Sequence, residues 1–218
     1  RWGPGDESSR SETPASASCG VTMPGSLLDD ARALMETAWQ TRRYTLMSPP
    51  AEASEMKAVL HEVHAQLDGA AGMCRGFDAP GLLVQILVRR AHVEKDAGWA
   101  DQARASLEDA LTTARSANNP GLVRTPLRHI GNLHREAGRN EKARLCHTEA
   151  MALYKADDHN TDPLGLANLL RPIALLHEAE GANDEAIGCW QEAQAIYRAL
   201  EVRVGVDECA EHLNALGA

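Results

Sequence analysis

The sequence predicts an all-α chain built as a solenoid of helical hairpins, and three observations predict it. The first is composition: 36 alanines stand against one Phe, three Tyr and four Trp in 218 residues. Such a chain suits closely packed helices better than sheets, which favour β-branched and aromatic side chains. The second is a spacing, Pro-x17-Gly, which occurs at Pro80 to Gly98, Pro120 to Gly138 and Pro163 to Gly181. Pro tolerates the first turn of a helix because its missing amide would be unpaired there, and Gly permits the left-handed residue that ends one. The third follows each Gly: Ala at five residues (Ala103, Ala143, Ala186), a bulky residue at nine (Leu107, His147, Trp190) and Ala at twelve (Ala110, Ala150, Ala193), with Ala114, Tyr154 and Tyr197 at sixteen. Steps of four, three and four place these on one face of a second helix, whose small residues allow close approach to the first. The hairpin recurs after 40 and then 43 residues, and a recurring supersecondary unit means an array.

Taken in order, residues 1–23 hold Gly, Pro, Ser, Thr and scattered charge without apolar periodicity, and read as a disordered or non-native tail. Residues 24–218 form the solenoid. Pro24 to Trp39 repeats the Pro start with a stripe of Leu27, Leu28, Ala31, Leu34, Met35 and Ala38. Its partner runs from about Pro50 to Leu67 on Ala53, Met56, Leu60, Val63 and Leu67, which makes a degenerate first hairpin over 24–68. Gly69 to Asp78 is read as a glycine-rich link. The repeats follow at about 80–119, 120–162 and 163–204. Asn140 and Asn183 sit where N-cap side chains are wanted, with Glu141 and Asp184 in the first turn. Pro126 and Pro172 fall inside first helices, each removing one backbone bond and bending the rod. Val206, Cys209, Ala210, Leu213 and Leu216 form the stripe of a capping helix at 205–217, which covers the last apolar face.

These residues resemble the tetratricopeptide repeat. The resemblance rests on the small residue seven before the turn Gly (Ala91, Gly131, Ala174), the Leu eleven before it (Leu87, Leu127, Leu170) and the Gly-x4-Ala-x3-bulky-x2-Ala run, over roughly 80–200. The period exceeds the usual 34, and the position usually held by Tyr carries Glu94, His134 or His177. The resemblance implies a right-handed superhelix whose concave face takes peptides. It also implies that the residues 13, 10, 9, 6, 3 and 2 before each turn Gly line that face. Among these, Arg89, His92, Lys95, Arg128, Asn132, Arg135, Asn168 and Arg171 are the candidate peptide-binding residues. The 18 groove positions carry five basic and three acidic residues, a balance of +2 in a chain of net charge −9. Arg128, Asn132 and Arg135, at i, i+4 and i+7, share one face of a helix. Asn can bond a peptide backbone both ways and Arg can grip a carboxylate, so an acidic segment is the fitting partner. The competing reading is a solvated face in which Arg128 or Arg135 pairs with Glu136 or Glu178.

Other classes find less support. No run approaches the roughly 18 apolar residues of a membrane span, and the start, Arg1-Trp2-Gly3-Pro4-Gly5, lacks the pattern of a signal peptide, so a cytoplasmic protein is expected. Five widely spaced cysteines suggest reduced core residues. Net acidity argues against nucleic acid. His61-x-x-His64 and Cys209-x-x-His212 each offer two ligands where zinc wants three or four, so no metal or other cofactor is expected. Nucleophile-elbow and phosphate-loop motifs are missing, and no catalytic residue is assigned. The reading is a non-enzymatic scaffold that binds a protein or peptide segment. The alternatives are a self-assembling structural protein or the regulatory domain of a larger signalling or transcriptional protein.

Overall fold

A computed structural model describes residues 24–157 and 162–218; the expected tail at 1–23 lies outside the described residues. Within them the chain forms nine helices and no strand: α1 Pro24–Met47, α2 Ala53–Arg75, α3 Pro80–Asp96, α4 Ala100–Ser116, α5 Pro120–Glu136, α6 Asn140–Lys155, α7 Pro163–Ala179, α8 Asn183–Ala199 and α9 Arg203–Leu216. Each even-numbered helix packs on the odd-numbered one before it and on the one after it. The odd helices α1, α3, α5 and α7 also touch in succession, which makes them one continuous layer of an all-α solenoid.

The turns form for the reasons the spacing implies. Gly98, Gly138 and Gly181 sit at φ +78°, +70° and +74°, the left-handed region that closes a helix at no steric cost. Where the pattern has no Gly, after α4 and α8, Asn118 and Glu201 take positive φ instead. The capping expectation needs correction. Asn140 and Asn183 are the first residues of α6 and α8, and neither helix has a side-chain cap. The side chains that do cap are Asn119, accepting from the Gly121 amide at 3.0 Å, and Asp162, accepting from the Gly165 amide at 2.8 Å. Both precede a Pro, where one orphan amide is already removed and the next must be satisfied.

The Gly69–Asp78 link is also corrected. Helix α2 continues to Arg75, because Ala70, Ala71 and Cys74 prolong its buried stripe and outweigh the cost of two interior glycines. Helices α5 and α7 run on through Pro126 and Pro172, both buried.

The core follows the second-helix pattern. Ala103, Ala110, Ala114, Ala143, Ala150, Ala186 and Ala193 are at most 1% exposed, and Leu107, His147, Trp190 and Tyr197 are buried beside them. Full burial of a ring such as Trp190 contributes about 2–3 kcal/mol. Glu94, at the usual Tyr position, is buried as the centre of a polar network: Ser106 Oγ donates to it at 2.6 Å and His64 Nε2 lies 2.9 Å from its other oxygen. His64 is thereby a partner of Glu94, and His61 packs on Trp99 with ring centroids 4.4 Å apart. Two of the described cysteines, Cys74 and Cys209, are core residues, whereas Cys146 and Cys189 are half-buried.

A close fit lies between α5 and α6. A Cβ added at Gly131 would fall 2.3 Å from His147 Nε2. In an open helix Gly→Ala gains about 1 kcal/mol; here overpacking reverses the sign. Gly131→Ala is expected to lower stability by about 1–3 kcal/mol in urea unfolding, and adding His147→Ala to it should recover part of the helix-propensity gain.

Candidate peptide groove

The inner layer carries the candidate residues, and the structure sorts them into two kinds. Most are already engaged within the chain. Arg89 Nη1 donates to Glu36 at 2.8 Å, and Lys95 Nζ to Glu136 at 2.6 Å. Arg171 pairs with Glu208 of α9. Asn168 Oδ1 accepts from the Tyr197 hydroxyl at 2.8 Å. His92 stands in a row of rings across three helices, 5.7 Å from Trp39 and edge-on to His129 at 4.6 Å. Arg42 and Arg89 both lie over the Trp39 ring, at 4.5 and 5.1 Å, and Arg42 Nε donates to Asp96 at 2.6 Å. These contacts staple α1 to α3, α3 to α5 and α7 to α9.

The stripe on α5 differs. Arg128, Asn132 and Arg135 have no ion-pair partner among the described residues, and Asn132 Oδ1 and Arg135 Nε are buried without a hydrogen bond. The Arg–Glu pairs of the competing reading do not form among the described residues, because Glu136 is held by Lys95, and Glu178 by His212 Nδ1 at 2.9 Å and by the Trp190 indole. His212 in turn stacks on Trp190 at 4.2 Å. Arg128 donates instead to His129 Nε2 at 3.0 Å. Since a guanidinium can only donate, that nitrogen is the acceptor and the imidazole is neutral. Burial lowers the Arg128 pKa below the usual guanidinium value, Tyr154, Tyr197 and Asp162 oppose that shift, and Arg171 adds a smaller like-charge repulsion. A cavity of about 170 Å³ opens beside this stripe, lined by Val88, His92, Lys95, Arg128, His129 and Asn132.

Sequence reasoning placed these residues on one helical face, with His129 among the groove positions, and missed Tyr154 and Tyr197 beside them. Tyr154 donates to Asp162 at 2.9 Å, and the Arg124 guanidinium lies 4.5 Å from its ring. The signal was present, since Tyr154 and Tyr197 occupy the same repeat position, but their polar tips reach the inner layer only once the hairpins are stacked.

Residues 82–156 match the family model of the tetratricopeptide repeat. Among solved structures, aspartyl phosphate phosphatase F from Bacillus subtilis is 15% identical, with a TM-score of 0.67 over 87% of this chain, which spans 45% of that protein's length. BtubC (BKLC) from P. vanneervenii is 16% identical with a TM-score of 0.55, covering 90% of this chain and 93% of its own. A kinesin-light-chain protein of Podosopora anserina with nearly identical TPR-like repeats is 15% identical with a TM-score of 0.56, covering 91% and 98%. No curated protein matches the sequence. The chain has the TPR-like helical-repeat fold that its residues resemble.

The histidines set a pH dependence. Burial, then Arg42 and Arg128, pull the His92 pKa from 6.5 to about 4, and burial followed by Arg128 holds His129 well below the usual value. Burial also takes His147 to about 4. Between pH 6.5 and 4 the unfolded chain therefore binds more protons than the folded one. Stability is full above the upper value and falls as pH drops through the window, by about 1–3 kcal/mol per histidine. Urea unfolding at several pH values should show this fall, and His92→Phe should flatten part of it.

Proposed function

We propose that this TPR-like protein is a non-enzymatic scaffold that holds an acidic protein segment in the groove of its inner helix layer, with Arg128 as the anchor. The observation that carries this reading is a mostly buried guanidinium without an acidic partner among the described residues. A buried charge left unpaired is costly, and a fold that retains one gains by supplying the counter-charge from outside. Asn132 and Arg135, one and two turns along, continue the same line. Lys95, Asn168 and Arg171 flank the stripe, and Arg89 and His92 extend it toward α1. The fold itself supports a protein partner, since helical repeats of this kind serve as interaction surfaces. The site is proposed to act in the cytoplasm, on neither nucleic acid nor membrane. Because the chain spans only 45% of the Bacillus phosphatase it resembles, a second reading is a regulatory domain that does this binding within a larger protein.

A positional-scanning set of Asp- and Glu-rich fluorescent peptides, read by anisotropy, tests the proposal. Arg128→Ala with Asn132→Ala and Arg171→Ala is expected to abolish capture while helicity stays unchanged. Arg128→Met separates binding from structure: it should lose capture and raise stability by about 1 kcal/mol, because it removes an unpaired buried charge. Unchanged capture by the folded triple variant, or a loss of stability in Arg128→Met, would place the binding elsewhere.

A further inference from the structure

The cavity beside Arg128 gathers its polar groups from two helices, His92 and Lys95 on α3 and Arg128, His129 and Asn132 on α5, while α4 contributes Ala103 and Leu107. Among the described residues no carboxylate lines it. The acids around it are engaged elsewhere. Asp96 accepts from Arg42 of α1 at 2.6 Å, and Glu136 from Lys95 at 2.6 Å. Asp162, which acts on Arg128 from outside the lining, accepts from the Tyr154 hydroxyl at 2.9 Å and the Gly165 amide at 2.8 Å. A Lys ammonium has three donors, so Lys95 can donate again after pairing with Glu136. Arg128 is the cation of the lining with no carboxylate bound to it.

The two histidines discriminate among anions. Their rings meet edge-on at 4.6 Å, and both are held neutral. Burial does most of this; Arg42, Arg128 and Lys95 add to it at His92, against Asp96, and Arg128, His92 and Lys95 add to it at His129. Each would regain a proton once a compensating negative charge arrived beside it. Protonation of His129 at Nε2 would also release the Arg128 Nη2 that now donates to that nitrogen, which turns both groups toward the anion. A carboxylate brings one charge and two oxygens in one plane, which Arg128 alone can match. A phosphomonoester brings a charge of about −1.5 to −2 and three acceptor oxygens in tetrahedral array, so it can face α3 and α5 together. Its second pKa of about 6 lies close to that of an ordinary imidazole. Ligand and histidines can therefore share a proton.

We propose that this cavity takes the phosphoryl group of a phosphorylated side chain, gripped by Arg128 and Lys95 with the imidazoles of His92 and His129 as further donors. The assignment rests on the groove reading for the remainder of the segment and names the modification that the segment carries. Asn132, one turn beyond Arg128, offers its amide to the backbone beside the modified residue.

The first probes are orthophosphate and acetate, added to the full chain at matched ionic strength and followed by the NMR resonances of the histidine Cε1 protons. Phosphate is expected to shift those of His92 and His129 saturably and to bind about tenfold more tightly than acetate. At about pH 7.5, where the free ligand is mostly dianionic, binding should take up protons, seen in calorimetry as a heat that changes with the ionisation enthalpy of the buffer. Capped Gly-phosphoserine-Gly should bind more tightly than orthophosphate and about tenfold more tightly than capped Gly-Asp-Gly. Arg128→Met should abolish phosphate binding, and Arg128→Lys, which keeps the charge without the fork, should weaken it about fivefold. Lys95→Gln should weaken it as well, whereas Arg104→Gln on the exposed face of α4 should leave it intact. Where Arg128→Met does not fold, Arg128→Lys and Lys95→Gln decide. Absence of orthophosphate binding, or equal binding of the phosphoserine and Asp peptides, would overturn the phosphoryl assignment and leave the capture of Asp- and Glu-rich peptides untouched. Phosphate binding without a gain for the phosphoserine peptide would make the cavity a free-anion site, tighter binding of a thymidine oligonucleotide would transfer it to nucleic acid, and a buffer-independent heat would remove the histidines from it; each overturns the proposal. Loss of acidic-peptide capture alone, with phosphoserine still bound, would overturn the wider groove and not this site.

Discussion

Close approach of paired helices through alanine is the constraint on which the rest of this structure depends. Each hairpin has only its neighbours to bury against, so every apolar face must meet the next at short range. Ala103 and Ala110 on α4, Ala143 and Ala150 on α6, and Ala186 and Ala193 on α8 let the first helix of each unit sit close enough for Leu87, Leu127 and Leu170 to be buried. Each unit then inserts one bulky side chain, Leu107, His147 or Trp190, into the space this leaves. At the middle unit the fit is so close that only Gly131 is compatible with the His147 ring. A small residue on one helix and a large one on its partner are thus a single feature of the sequence, repeated with period 40 to 43.

That geometry decides what the inner layer can do. With the odd helices in contact, polar side chains of successive odd helices come within reach of one another, and several pair across the joint. Arg89 meets Glu36, Lys95 meets Glu136, and Arg171 meets Glu208. Each of these pairs is worth about 0–1 kcal/mol, so their main effect is to fix orientation. On α5 the sequence supplies two arginines and an asparagine without matching acids. The layer is electrostatically satisfied at both ends and unsatisfied in its middle, and a ligand would gain most at α5.

Much of the fold could be read from the chain because its punctuation is local. Pro starts, Gly stops and alanine steps act within one hairpin, and the helices they predict are present at 80–96, 120–136 and 163–179. Errors arose where a local rule met a tertiary advantage. Gly69 and Gly72 suggest a linker, yet Ala70, Ala71 and Cys74 bury well enough to carry α2 through them. Asn140 and Asn183 look like caps, yet the chain reaches each helix through a left-handed Gly that sets the cap one residue earlier. The groove was partly legible. Spacing on one helix put Arg128, Asn132 and Arg135 together. Which of the acids had already been taken depends on contacts between helices 30 to 50 residues apart in sequence, and no spacing within one helix reports that.

The charge balance bears on how such a groove would recognise an acidic segment. The chain carries −9 overall, so at distances beyond the Debye length, about 8–10 Å at physiological salt, an acidic partner meets net repulsion, itself largely screened. Electrostatic steering, which raises association rates where partners have opposite fields, is weak here. Attraction begins only when the segment lies against the inner layer, where Arg128 and its neighbours are partly desolvated and their charge is screened least. Specificity would then come from contact: a carboxylate placed at Arg128 satisfies a buried cation, whereas one placed eight residues, just over two turns, along α5 meets Glu136, already held by Lys95. A groove of this kind would discriminate by the position of a negative charge along a segment more than by how many the segment carries.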